Sequence, residues 1–291
     1  MTTRVLLCAC LAAATIAPAA AQQPVFSSRV DTVRVDVSVR QGRDPLRRLT
    51  AADFEVLDNG VRQQVDFAAL EQMPVSVVLA LDLSGSVEGP RLDALRAAGE
   101  RIVGMLTARE TAAVVLFTDL VTIASDFTSD KTRLIDALKQ PGGSGDTALL
   151  DATHAALVLG EAQEGRPLVI VFSDGTDTAS FLSPALVLDT ARRTGPVVYA
   201  VTMFDAGAGF LNDLVRLTGG RRLEVESLDN VSDAFAEILA ESRERYLLSY
   251  TPTGVPAGGW HDVVVRVRGR RAEVRARPGY LREGRADASE K

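Results

Sequence analysis

The chain has 291 residues, 46% of them hydrophobic and 24% charged, with 32 Lys and Arg against 38 Asp and Glu for a formal charge of −6. That hydrophobic share excludes wholesale disorder, and the acidic balance argues against a nucleic-acid surface. Aromatic residues make up only 5% of the chain, so its core has to come from Val, Leu and Ala.

The opening stretch, MTTRVLLCACLAAATIAPAAAQQ, reads as a secretory signal peptide. Arg4 is the positive start, Val5 to Ile16 the apolar run, and Ala19 to Ala21 a small-residue site, with cleavage expected near Ala21. The run is too short to span a bilayer, and no charged stop comes after it. Both cysteines, Cys8 and Cys10, lie inside it. The mature chain is therefore expected to lack disulfides, thiolate metal sites and a cysteine nucleophile, and to carry a formal charge of −7. No later apolar run approaches ~20 residues, which predicts no membrane span in a secreted or periplasmic protein.

Residues 30 to 40 alternate, with Val33, Val35, Val37 and Val39 on one face and Arg34, Asp36, Ser38 and Arg40 on the other, as in a half-buried antiparallel strand. Phe54 to Leu57 and Val61 to Phe67 flank Asp58-Asn59-Gly60, a hairpin signal. From Pro74 the pattern changes to strands alternating with helices. Val75 to Leu81 is an apolar strand, and Leu92, Leu95, Ile102 and Leu106 mark a helix face. Ala112 to Phe117 and Val121 to Ala124 are joined too tightly for a helical crossover, so they are expected to pair antiparallel. Helices come next at Lys131 to Leu138 and Thr147 to Leu159, then the apolar strand Leu168 to Phe172. Ser183-Pro184 opens a helix reaching Arg193. Val197 to Met203 reads as a strand, Phe210 to Leu217 as a helix closed by Gly219-Gly220, and Leu223 to Val225 as a short strand. Val231, Phe235, Ile238 and Leu239 form the face of a last helix.

After Tyr246 the alternating pattern returns. Tyr246 to Tyr250 is a strand, and Val263, Val265 and Val267, then Val274 and Ala276, alternate with arginines around a hairpin turn near Gly269. The arginines read as a solvated sheet face that blunts edge pairing. The fold class expected is α/β: a doubly wound, mostly parallel sheet inserted in a small antiparallel β domain. Residues 1–21 form the signal peptide, 22–73 and 246–291 the two parts of the β domain, and 74–245 the α/β domain.

Open α/β sheets bind ligands beyond the carboxyl ends of their strands, where the strand order reverses. Three loops qualify. One carries Asp82, Ser84 and Ser86; the second is Gly142 to Thr147; the third is Ser173-Asp174-Gly175. Together they offer two carboxylates and three hydroxyls, hard oxygens of the kind Mg²⁺ prefers. Such a set leaves at least one position for an outside ligand, which a carboxylate from a partner protein would suit. Asp146 and Asp177 lie beside these positions and read as turn residues or as supports behind the ligands, the glycine loop lacks the lysine of a phosphate-binding loop, His154 reads as a packed histidine, and Trp260 and His261 read as packing or loop residues.

Asp82-x-Ser84-x-Ser86, succeeded in order by Thr147 and Asp174-Gly175, closely resembles the metal-ion-dependent adhesion site (MIDAS) of von Willebrand factor type A domains. The resemblance covers about Pro74 to Arg245. The flanks LTAADFEVLDNG, YLLSYTP and RARPGY further resemble a bacterial secreted subgroup. The resemblance implies that Asp82, Ser84, Ser86, Thr147 and Asp174 hold Mg²⁺, or Mn²⁺ or Ca²⁺ in its place, and that a partner's acidic side chain completes the shell. The expected function is metal-dependent protein binding, not catalysis. One alternative is a metal-assisted hydrolase or phosphatase using Asp82, although Ser84 stands where an aspartyl-phosphate enzyme of the DxD type would place a second carboxylate. The other is a structural envelope protein.

Overall fold

The computed structural model describes residues 32–282, apart from 43, 71–72, 164, 175, 204–207 and 228–229; the signal-peptide reading lies outside the described residues. The chain enters through β1 (Val33–Gln41), a short β2 (Asp44–Pro45) and a 3₁₀ turn at Ala51–Asp53. Next come β3 (Phe54–Asp58), β4 (Val61–Gln63) and β5 (Phe67–Leu70). Asn59 and Gly60 both have positive φ, 46° and 78°, as the two-residue turn between β3 and β4 requires.

The α/β part runs through β6 (Val75–Asp82), α1 (Pro90–Met105), β7 (Thr111–Phe117) and β8 (Val121–Thr128). It continues through α2 (Lys131–Leu138), α3 (Leu149–Glu161), β9 (Arg166–Ser173), α4 (Pro184–Arg193) and β10 (Val197–Met203). It closes with α5 (Ala208–Thr218), β11 (Arg222–Val225) and α6 (Val231–Arg243). Its sheet has the order β11-β10-β9-β6-β7-β8, with only β8 antiparallel. Alternate residues of β6 feed two cores. Val77, Leu79 and Leu81 pack with α1, α2 and α6 on one face. Val78 and Ala80 pack with α3, α4 and α5 on the other. That is why the strand reads as a continuous apolar run. No helix among the described residues is long and apolar enough to cross a membrane.

The chain leaves through β12 (Tyr246–Tyr250), β13 (Gly259–Val267), β14 (Glu273–Ala276) and β15 (Gly279–Arg282). β1 lies between β12 and β14, with β5 beyond β12, while β13 pairs with both β3 and β15. Residues of both sheets, among them Val37, Val39, Phe54, Val56, Tyr246, Leu248 and Tyr250, share one buried core. Chain segments more than two hundred residues apart thus build one antiparallel β layer pair around the α/β insertion, which is the fold class read from the pattern.

Four local expectations fail. Val61 to Phe67 is not one strand: it breaks after Gln63, whose side chain is held by the Thr253 amide (2.9 Å) and carbonyl (3.0 Å), and β5 joins the other sheet. The turn near Gly269 is not a hairpin, because β14 adds to β1 while β13 stays with β3. The arginines after it are not all solvated. Arg275 reaches the buried Glu241 at 3.1 Å, and the Arg277 guanidinium donates to the Ala191 carbonyl. Nor is the polar face of β1 open: Ser38 is buried against Glu241, and Asp36 pairs with Arg166 and Arg245.

Candidate metal centre

β6 and β9 are neighbouring parallel strands on opposite sides of the point where the sheet order reverses. Their register pairs Leu81 with Phe172, so Asp82 and Ser173, the last residues of each, emerge side by side. Asp82 is fully buried. One carboxylate oxygen accepts the Ser173 hydroxyl at 2.7 Å and the other the Ser84 amide at 3.0 Å. Burial pushes the Asp82 carboxyl above its usual range, Ser84 and Ser173 pull it back, and the Asp174 charge raises it again.

The turn after β6 is anchored by the Leu83 amide on the Phe117 carbonyl (2.8 Å) and the Val87 amide on the Ser84 carbonyl (2.9 Å). It sets the Ser84 and Ser86 hydroxyls 3.2 Å apart, and the Ser86 hydroxyl donates to Asp174 Oδ1 at 2.6 Å. Asp82, Ser84, Ser86 and Asp174 therefore form one continuous polar chain across two strand ends. A residue not singled out from the sequence joins them. Arg91, in the first turn of α1, donates to the Ser86 carbonyl at 3.1 Å and lies 3.6 Å from Asp174 Oδ2. An arginine in a helix's first turn carries no signal of its own; only the fold brings it beside a carboxylate.

Thr147 is positioned by its loop backbone. The Gly143 amide donates to the Leu83 carbonyl (2.8 Å), and the Gly85 amide to the Gly145 carbonyl (3.1 Å), so the glycine loop lies directly on the serine turn. Gly145 has φ +85°, a left-handed conformation that favours glycine. Thr147 itself is buried, its amide donating to the Thr178 hydroxyl at 3.0 Å and its carbonyl accepting the Thr178 and Ala179 amides. Asp177 caps α3 through the Leu150 amide at 3.1 Å, while Asp146 is exposed.

The donor chemistry suits a hard divalent ion. The Asp174 charge stands close enough to raise Asp82, and the Ser84 and Ser86 hydroxyls lie on the path between them. Among the described residues no group of three or more His, Cys, Asp and Glu side chains converges, so softer or carboxylate-rich sites find no support. Neither histidine belongs to this region's polar chain. His154 Nδ1 is 3.1 Å from the Thr190 hydroxyl, and the buried His261 is 2.7 Å from Asp58.

Residues 77–176, which span all three of these loops, match the family model of the von Willebrand factor type A domain. A von Willebrand factor type A protein from Catenulispora acidiphila aligns at 13% identity and a TM-score of 0.55, covering 90% of this chain and 76% of its own. Proximal thread matrix protein 1 from the mussel byssus, with a zinc-occupied MIDAS motif, aligns at 18% identity and 0.53 over 63% of this chain. The chain covers 49% of that mussel protein, about half its length. A mutant of the PilB minor pilin from Streptococcus sanguinis aligns at 12% identity and 0.51, covering 60% of this chain and 63% of its own. These likenesses are likenesses of fold. No curated protein matches the chain.

Proposed function

We propose that the α/β part of this chain, a von Willebrand factor type A domain, is a divalent-metal-dependent protein-binding module of a secreted or periplasmic protein. Asp82, Ser84, Ser86, Thr147 and Asp174 would hold Mg²⁺, or Mn²⁺ or Ca²⁺ in its place. The bound ion would supply a Lewis-acidic position that takes a carboxylate from the partner. The observation that carries this reading is the polar chain from Ser173 through Asp82, Ser84 and Ser86 to Asp174. The Asp174 charge raises the buried Asp82, and Arg91 offsets the charge from the Asp174 side only, at 3.6 Å. Ser173 and the Ser84 amide orient Asp82 and the Ser86 hydroxyl orients Asp174, while the glycine loop that leads to Thr147 bonds the same turn through Gly143 and Gly145.

Binding fits these residues better than catalysis. Both histidines are engaged elsewhere, and Ser84 offers a hydroxyl where an aspartyl-phosphate enzyme of the DxD type would place a second carboxylate. The zinc-occupied MIDAS of the mussel byssus protein supports a divalent ion at such a site in this fold. We also read residues 1–21 as a leader that is removed, 74–245 as the binding domain, and 22–73 with 246–291 as its β support.

The test is calorimetric titration of Mg²⁺ into the mature protein and into Asp82→Ala, with partner capture from an envelope extract in Mg²⁺ and in chelator. Wild type is expected to bind the ion and to capture partner only in its presence, and the variant to do neither. Metal-independent capture would favour a structural envelope role, and turnover of a phosphate or ester lost in the variant would favour an enzyme.

A further inference from the structure

Where β13 and β15 meet α4 and α5, two cavities of about 290 and 330 Å³ are both lined by Trp260 and Arg192. Their walls are tied together, because the Arg277 guanidinium, on the link between β14 and β15, donates to the Ala191 carbonyl near the end of α4. Trp260 is the chain's single tryptophan, and its ring is seated. The indole Nε1 donates to Asp262 Oδ1 at 2.8 Å. A Cβ at Gly279 would come within 2.5 and 2.7 Å of two of the ring carbons, so the ring lies directly against the β15 backbone, beside its cross-strand partner Leu281. An aromatic surface held this way loses little freedom when a ligand covers it.

The charged side chains around the ring are matched. On α4 the Arg193 guanidinium lies 2.8 Å from Asp189, and on α5 that of Arg216 lies 3.0 Å from Asp213. Asp262 is taken up by the indole. Arg192 stands apart: it lines both cavities, yet among the described residues its guanidinium makes no hydrogen bond or ion pair. A simple anion would face three carboxylates across these cavities, and a cation three guanidiniums. A hydroxyl both donates and accepts, so a polyol can meet paired Asp and Arg side chains without leaving either unsatisfied. The C–H face of a sugar ring is apolar enough to lie on an indole. Arg192 then leaves a place for one carboxylate, which a guanidinium grips with two parallel hydrogen bonds.

We propose that this groove binds an acidic saccharide, with a sugar ring stacked on Trp260 and its carboxylate paired with Arg192. A concave site with an aromatic wall and a few polar groups, at the boundary between two parts of a fold, is the usual form of a small-ligand site. The residues that form it belong to none of the loops that carry Asp82, Thr147 and Asp174, so binding here is independent of the divalent ion.

With one tryptophan in the chain, its emission reports on this groove alone. The full chain is titrated with galacturonate trimer, hyaluronan tetrasaccharide and N-acetylmuramic acid, in Mg²⁺ and in chelator. At least one of the three is expected to shift the emission saturably, and equally in both conditions. Arg192→Ala, or the methyl ester of the same sugar acid, is expected to weaken binding roughly 10- to 100-fold. Trp260→Leu, followed by calorimetry, is expected to lose binding as well. Arg192 is exposed, so Arg192→Ala is expected to melt like the wild type, which separates lost binding from lost fold. No saturable response to any of the three sugars, or equal binding by Arg192→Ala, would overturn the inference. Acetate, inorganic phosphate or an Asp-Glu peptide bound as tightly as the sugar would overturn it too, by making the groove a general anion or peptide site. A response lost in chelator or in Asp82→Ala would move the ligand to the metal loops and overturn it equally.

Discussion

Replacing Glu241 by Ala is the perturbation that most directly tests how the α/β part is joined to its β support. Glu241, on α6, is 1% exposed. Its carboxylate accepts from Arg221 (2.9 Å), Arg275 (3.1 Å), the Tyr199 hydroxyl (3.0 Å) and the Ser38 hydroxyl (3.2 Å), with Arg40 at 3.9 Å. Those partners come from β1, β10 and β14 and from the chain just before β11. Beside it Arg245, also 1% exposed, pairs with Asp36 and donates to the Tyr199 hydroxyl and the Gly219 carbonyl, each at 3.0 Å. Removing Glu241 leaves Arg221 and Arg275 only the more exposed acids Glu237 and Glu273, so the loss approaches the roughly 3–5 kcal/mol of a broken buried pair as an upper bound. For a unit of this size that corresponds to a fall in Tm of about 6–20 °C.

Burial opposes ionisation of Glu241, but Arg221 and Arg275 outweigh it and hold its carboxyl below the ordinary value of 4.5. Its stabilising contribution is therefore complete above that value and is lost as pH falls through the lower folded value. Thermal melts monitored by circular dichroism at pH 7 and in acid measure both effects. The gap between wild type and Glu241→Ala is expected to be wide at pH 7 and to narrow in acid. A variant melting within about 2 °C of wild type at pH 7 would refute the reasoning.

In chelator, Asp82→Asn is expected to melt at or above the wild-type temperature. The raised Asp82 carboxyl makes its ionisation unfavourable in the fold, so that stability is lost as pH rises through its folded value, and the neutral amide removes this dependence. Mg²⁺ at 100-fold over its Kd should stabilise the wild type by about 2.7 kcal/mol and leave this variant unmoved; equal metal-induced shifts in differential scanning would count against the site. Deleting residues 252–291 removes one of the two ladder partners of β3 and one partner of β1, uncovering the core around Val37 and Phe54. Limited proteolysis should then cut within residues 32–70 well before it cuts the intact chain, and unchanged resistance would contradict the shared core.

Much of this architecture is legible because burial on both faces of a sheet leaves a run with no polar interruption. Val75 to Leu81 and Leu168 to Phe172 announce themselves as central strands, and Asp82 and Asp174 as acids just past their carboxyl ends. Ser183-Pro184 marks its helix start because the cap is local: the Ser183 hydroxyl and its own turn suffice. Arg275 and Ser38 are different. Alternation says that they share a face, but not what covers it, and Glu241 lies 34 residues from one and 203 from the other. The Gly269 turn misleads for the same reason. A turn looks alike whether its strands pair with each other or part into two sheets.

The order of strands and helices, the sites where loops leave the sheet and the oxygen-rich character of those loops are written in the chain, since each depends on neighbours within a few residues. Which loops touch, that Arg91 stands beside Asp174, and that Asp151 accepts the Phe181 and Leu182 amides emerge only on folding. These contacts join residues roughly thirty to ninety positions apart, and no local preference encodes a distance closed by packing.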